Sequence, residues 1–266
     1  MHVIDTAQNI SRHPEREYSK QGLFGIAVPQ ANPIVEPEIS ALMPDQIGVL
    51  TTRLQGSRVD SKSRLVDYMH NLAASLNAFD TAKLDVVGYA CTGSTYLLGR
   101  DEERRRIDEF SRQYGYPIIT SAEAILSALK HLGVSKIALI APYPQWLVDI
   151  SHAHWEKCGL TVIGSVRTML EAEDTRNVYK LNTEMILEAT NSLATNRADA
   201  ILLSGTGMPT LRAIPAIAEL SGKPVISSNL CLAWAMLEIA CSPYPRPRTE
   251  AGETLIGGWS ERTSLL

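Results

Sequence analysis

A short turn occurs twice in this chain, each time after a strand-like apolar run, and that repeat limits the folds open to it. Leu84-Asp85-Val86-Val87-Gly88-Tyr89 leads into Ala90-Cys91-Thr92-Gly93-Ser94. Ala198-Asp199-Ala200-Ile201-Leu202-Leu203-Ser204 leads into Gly205-Thr206-Gly207-Met208-Pro209. The duplication extends beyond the turns. Gly115-Tyr116-Pro117-Ile118-Ile119-Thr120-Ser121 resembles Gly222-Lys223-Pro224-Val225-Ile226-Ser227-Ser228, and Gly25-Ile26-Ala27-Val28-Pro29 resembles Ile137-Ala138-Leu139-Ile140-Ala141-Pro142. Matched blocks in the same order imply two similar halves, differing at the key position of the turn: Cys91 in the first, Gly205 in the second.

The pattern between the blocks alternates strand and helix. Short apolar runs at Gly22–Pro29, Gln46–Thr52, Tyr116–Thr120, Lys136–Tyr143, Thr161–Gly164 and Pro224–Ser227 read as strands. Helical spacing covers Ser61–Phe79, Asp101–Tyr114, Ser121–His131 (Ser121 as N-cap, Gly133 as stop), Gln145–Lys157, Asn177–Thr195, Pro215–Leu220 and Asn229–Ala240. Three prolines between Pro29 and Glu38 argue against a regular helix interior at the start of that stretch. The tail beyond Cys241, rich in Pro, Arg and Gly, is left without regular structure. Alternation of this kind predicts an α/β protein with parallel sheets. The expected architecture is two pseudo-symmetric, flavodoxin-like, three-layer αβα lobes: residues 22–119 with 228–266, residues 120–227, and an N-terminal arm over 1–21. Ligands collect beyond the carboxyl ends of such strands. Two edges placed face to face bring Asn32, Cys91, Tyr143 and Gly205 around one cleft.

Composition removes several function classes. The 266 residues carry a net charge of −4, which gives no footprint for nucleic acid. No run of ~18 apolar residues suggests a membrane span. Met1–Gln21 lacks the apolar stretch of a signal peptide and reads as an intracellular leader or arm. Cys91, Cys158, Cys231 and Cys241 are widely spaced, without a CxxC pair, which suits free thiols and a cytoplasmic home. The six histidines form no persuasive catalytic set; His152 and His154 stand two apart in a helix, the wrong spacing for a shared metal. No nucleotide-binding glycine motif occurs. No metal or cofactor is expected, and a homo-oligomer joined through the arm is left open.

Each site residue has a plain reading beside a chemical one. Cys91 is either a buried thiol packing as a small hydrophobe or a nucleophile and acid–base group whose pKa the N–H groups of Thr-Gly-Ser lower. Gly205-Thr206-Gly207 is either a turn requiring positive φ or a carboxylate cradle built from free N–H groups. Tyr143 packs, or donates its hydroxyl to an oxyanion. Asn32 is a turn residue, or its amide orients a carboxylate. Trp146 and Trp155 line the cleft or, at helical spacing, the core.

These turns resemble those of the aspartate/glutamate racemase superfamily, in the branch holding arylmalonate decarboxylase and maleate cis-trans isomerase, over about Gly22 to Ala240. The resemblance implies that Asn32, in Val28-Pro29-Gln30-Ala31-Asn32, binds a substrate carboxylate. It places Cys91 on the isomerase nucleophile, Tyr143 on a carboxylate-binding tyrosine, Asn177 on a substrate-binding asparagine and Thr92 on a threonine of the decarboxylase pocket. Ile201-Leu202-Leu203-Ser204, Leu211 and Ala213-Ile214-Pro215 resemble the decarboxylase's second turn. At Gly205 the decarboxylase has its sole catalytic cysteine and the isomerase its second; this chain has neither. The decarboxylase has glycine where this chain has Cys91, and a serine where it has Gly93, leaving backbone donors there. A two-base racemase is disfavoured with one thiol. The expected activity is cofactor-independent decarboxylation of a substituted malonate, with Cys91 protonating an enediolate. Maleate-type isomerisation or Asp/Glu-type racemisation with Cys91 as nucleophile or base is the alternative, and a non-catalytic carboxylate-binding protein is the third reading.

Overall fold

The computed structural model describes residues 12–168, 173–247 and 253–263. The first eleven residues of the expected arm, and residues 248–252 and 264–266 of the tail, lie outside them. Among the described residues, eight strands form two sheets. The first contains β1 (Gly22–Pro29), β2 (Ile47–Leu54), β3 (Val86–Tyr89) and β4 (Ile118–Thr120) in the order β2-β1-β3-β4. The second contains β5 (Lys136–Ala141), β6 (Thr161–Arg167), β7 (Ala200–Leu203) and β8 (Val225–Ser227) in the order β6-β5-β7-β8. Every pairing is parallel.

The two orders are the same order, so the duplication in the sequence is a duplication in topology. In each sheet the chain steps outward to one side, then returns to the other side of its first strand. The resulting crevices open beyond β1 and β3, and beyond β5 and β7, where doubly wound sheets bind ligands. Asn32, Cys91, Tyr143 and Gly205 each follow one of these four strands.

The connecting helices are α1 (Val35–Leu42), α2 (Ser61–His70), α3 (Leu72–Asn77), α4 (Thr92–Leu98), α5 (Arg100–Tyr114), α6 (Ser121–His131), α7 (Gln145–Lys157), α8 (Thr183–Thr190), α9 (Ala213–Ser221), α10 (Ser228–Ile239) and α11 (Trp259–Thr263). The repeated Gly-x-Pro block explains one pair of them. Gly115 and Gly222 end α5 and α9 in the left-handed region at φ 76° and 65°. A three-residue strand follows each, and then Thr120 or Ser227 caps the next helix, accepting from Glu123 N–H or Leu230 N–H. The cap of α6 is thus Thr120, one residue before the expected Ser121. The two helices started this way, α6 and α10, pack on each other, and α10 is buried from Ser228 to Leu237.

Three expectations change. The helix read as Ser61–Phe79 is broken between α2 and α3 at Asn71, which leaves helical geometry (ψ 8°) and donates its amide to Gln55 O at 3.0 Å. The helix read as Asn177–Thr195 is a 3-10 turn, Thr175–Lys180, followed by α8, whose start is set by the Asn182 cap on Met185 N–H. The tail contains α11, with Trp259 fully buried. Pro37 sits inside α1, but in its first turn, where its missing N–H costs nothing.

Candidate active site

The first turn leaves β3 with Ala90 N–H still bonded to Ala27 O at 2.9 Å. Cys91 then caps α4 in an extended conformation. The Gly93 and Ser94 N–H groups point at its sulfur and pull its pKa down, as does the charge of Arg64. Burial outweighs all three and pushes the thiol up to about 12. The sequence reading anticipated the N–H donors and the opposite net shift. The buried thiol is therefore favoured over the thiolate at neutral pH. Gly93 follows between Leu65 and Leu147; a Cβ there would stand 3.3 Å from a methyl of each, so a serine at this position would crowd both.

The second turn is built differently. Gly205 has φ 116°, and a Cβ on it would lie 2.9 Å from Pro142 Cγ and 3.2 Å from the Tyr143 hydroxyl. Both the backbone and the space oppose a side chain at this position. Its N–H groups are only partly free. Gly205 N–H donates to Ser228 Oγ at 2.9 Å, whereas those of Thr206 and Gly207 have no protein acceptor among the described residues. The cradle read from the sequence keeps two of its three donors.

Hydroxyl contacts join the two turns. Thr206 Oγ1 donates to Ala90 O at 2.8 Å. Thr92 Oγ1 and the Tyr143 hydroxyl share a hydrogen bond of 2.7 Å; Tyr143 meets Ser204 Oγ at 3.2 Å, and Tyr96 meets the same Ser204 at 2.8 Å. Burial lifts the Tyr143 phenol to about 12, so it remains a donor. Beneath the second turn lies a buried carboxyl group, Glu38 of α1. It accepts from Leu211 N–H at 2.9 Å, Thr210 Oγ1 at 3.2 Å and Asn229 Nδ2 at 2.7 Å, as well as from Thr210 N–H. Asn229 Nδ2 also donates to Thr206 O at 3.1 Å.

Asn32, Cys91, Thr92, Gly93, Tyr143, Gly205, Thr206 and Gly207 all line one cleft. Asn32 is 2 % exposed, and its Oδ1 accepts from Ile34 N–H at 2.8 Å and Val35 N–H at 3.3 Å. That fixes the amide and leaves Nδ2 as a donor. Asn177 is not brought to the cleft: its Nδ2 bonds to Asp174 O at 3.2 Å, and the neighbouring Val178 and Tyr179 form the wall. Trp155 is core, stacked edge-on against Tyr96 at 5.4 Å. Trp146 does not line the cleft but borders a neighbouring outer pocket, which shares Arg64 and Arg176 with it.

The sequence reading missed Arg64, Tyr68, Arg176 and Tyr179, which line the same cleft. Arg64 is 1 % exposed. A charge on a helix is usually a solvated face, but Arg64 stands four residues before Tyr68 and beside Leu65, within the apolar stripe of α2. That spacing was the available signal.

Comparison with known proteins decides the lineage. The family model described as arylmalonate decarboxylase matches residues 24–250. The chain belongs to the arylmalonate decarboxylase family. Among curated relatives of this family member, the maleate isomerase of Geobacillus stearothermophilus is 28% identical over 233 residues, covering 83% of this chain and 92% of the relative. That of Alcaligenes faecalis is 29% identical over 232 residues, covering 81% and 89%. A crystal structure of a cysteine-to-alanine variant of the maleate isomerase Iso from Pseudomonas putida S16 with maleate superposes with TM-score 0.77 at 26% identity, over 90% of this chain and 97% of that one. Two likenesses under a quarter identical carry the fold alone. One is a cysteine-to-serine mutant of the Nocardia farcinica maleate cis-trans isomerase with a covalently bound succinylcysteine intermediate (TM-score 0.75, 23%, covering 84% and 94%). The other is arylmalonate decarboxylase (TM-score 0.73, 22%, covering 88% and 98%). Two four-stranded parallel sheets with helices are therefore an architecture this chain shares with enzymes of the family.

Proposed function

We propose that this protein is a cis-trans isomerase of a small unsaturated dicarboxylate of the maleate type, with Cys91 as the nucleophile. The observation that carries the proposal is Cys91 in a cleft lined, among the described residues, by two guanidiniums and no carboxylate. Maleate isomerases as curated relatives over four-fifths of the chain support it. They move the balance away from malonate decarboxylation, the reaction first expected.

The chemistry closes with one thiol. The Cys91 sulfur bonds to one alkene carbon, and the thiol hydrogen ends on the other, giving a saturated succinyl thioether. A succinylcysteine of this kind is what the Nocardia farcinica mutant structure is named for. The former double bond is now single and rotates half a turn. The proton then leaves the carbon, the C–S bond breaks, and the thiol and trans product are regenerated. The thiol supplies both atoms that add, and its attacking form, the thiolate, is favoured by the Gly93 and Ser94 N–H groups and the Arg64 charge and opposed by burial. Between the two steps, charge on the substrate carboxylate is held by the Asn32 amide, the Tyr143 hydroxyl, and the free N–H groups of Thr206 and Gly207. No group at Gly205 is required.

The same protonated thiol favours one second reading. A neutral Cys91 is the state that donates a proton to the enediolate left by malonate decarboxylation. Proton NMR with maleate and, separately, phenylmalonate tests the two. Conversion of maleate to fumarate, abolished in Cys91→Ala, supports the isomerase. Carbon dioxide and phenylacetate from phenylmalonate, with maleate untouched, replaces it with the decarboxylase.

A further inference from the structure

The geometry points to Arg64 as the anion-binding residue of the cleft, holding the second carboxylate of a dicarboxylate whose reacting carbon lies against Cys91. This rests on the dicarboxylate reading above and adds what selects the substrate.

Three observations carry it. First, the guanidinium is held at one end only. Nη2 donates to Ser61 Oγ at 2.9 Å, Asp174 Oδ1 at 2.8 Å and Thr175 Oγ1 at 3.2 Å, whereas Nε and Nη1 have no acceptor among the described residues. The side chain is 2% exposed and stands between the cleft and the outer pocket of Trp146, lining both. Second, the local charge is unbalanced. Among the described residues, Asp174 is the sole carboxylate ion-paired to Arg64, and it is shared with Arg176, which meets it through Nε and Nη2. Both guanidiniums line the cleft, whereas Asp174 and Asp60, whose charges act on Arg64, border the outer pocket instead. Third, the arrangement is oriented. Asp60 caps α2 through Ser63 N–H, and Ser61 Oγ accepts from Thr175 N–H as well as from Arg64. The helix and the 3-10 turn thus fix the guanidinium between them, on the wall that also carries Cys91 and Tyr68. A carboxylate there places the rest of a four-carbon diacid toward the turns.

Alkylation of Cys91 tests this without requiring turnover. The protein is treated with iodoacetate or iodoacetamide at one pH, and labelling is mapped by peptide mass spectrometry, with exposed Cys241 as the reference thiol. The anionic reagent is expected to gain about tenfold at Cys91 over the neutral one, relative to the same ratio at Cys241. Arg64→Gln should move the Cys91 ratio most of the way to that at Cys241, with Arg176 still in place, and Arg64→Lys should move it less. Succinate should protect wild-type Cys91 far better than propionate does, and Arg64→Gln should erase that difference. Equal ratios at Cys91 and Cys241 in the wild-type protein would overturn the assignment even if no Arg64 variant folds. So would succinate protecting no better than propionate. Maleate turnover with Cys91 showing no anion preference would sink Arg64 and leave the isomerase standing. Anion preference without turnover of maleate would keep Arg64 and remove the isomerase.

Discussion

At the scale of single residues, Cys91 is pulled two ways: backbone N–H groups and Arg64 favour its thiolate, and burial favours its thiol and wins. Cys91→Ser should lower turnover more than about a thousandfold, since a hydroxyl neither adds to an alkene nor leaves as sulfur does. Initial rates with maleate check this. Gly205 makes the opposite point. Its φ is 116°, and a side-chain carbon on it would meet Pro142 Cγ at 2.9 Å. Gly205→Ala should therefore cost about 2 kcal/mol in urea unfolding, and Gly205→Cys should cost at least as much rather than restoring a second thiol. Cys91, the turns and Tyr143 were legible because strand ends followed by small residues are distinctive in sequence. Arg64 was not, because its partners Asp174 and Thr175 lie 110 and 111 residues away. Asn177 looked like a site residue by resemblance, but the 3-10 turn points its amide at Asp174 and gives the cleft its neighbours instead.

At the scale of elements, the repeated blocks set the strands, and local caps set where helices begin. Gln145–Lys157 was readable to the residue because its apolar spacing is continuous. Ser61–Phe79 was not, because the period runs unbroken through Asn71 while that side chain is drawn to Gln55 O. The link between α1 and the second turn was equally invisible: Glu38 in an amphipathic stretch gives no sign that it meets Thr210, Leu211 and Asn229. Glu38→Ala strands several buried donors at once and should cost at least about 3 kcal/mol in urea unfolding. Glu38→Gln, which keeps an acceptor oxygen, should cost clearly less. Equal losses in the two variants would mean the carboxyl oxygens do not hold the turn.

At the scale of the whole molecule, the two sheets are joined across the cleft by Thr206 to Ala90, Thr92 to Tyr143, Tyr96 to Ser204 and Arg64 to Asp174. Two buried groups, Glu103 and His154, make stability depend on pH in opposite senses. Burial raises Glu103 from 4.5 to about 7, so its contribution is complete below pH 4.5 and is lost as pH rises through 7. Burial lowers His154 from 6.5 to about 4, so its contribution is complete above pH 6.5 and is lost as pH falls to 4. Relative to wild type, Glu103→Gln should therefore gain stability as pH rises from 4.5 to 7, and His154→Gln should gain it as pH falls from 6.5 to 4, each by on the order of 3 kcal/mol. Urea unfolding across that range reads both. The central claim, that one thiol in a cationic cleft adds to an unsaturated diacid, is tested most directly by mass spectrometry of the intact protein quenched during turnover of maleate. A fraction of molecules should be heavier by one whole maleic acid, with the adduct mapped to Cys91 and absent from Cys91→Ala. Turnover with Cys91 unmodified at every quench time, or undiminished in Cys91→Ala, would contradict it.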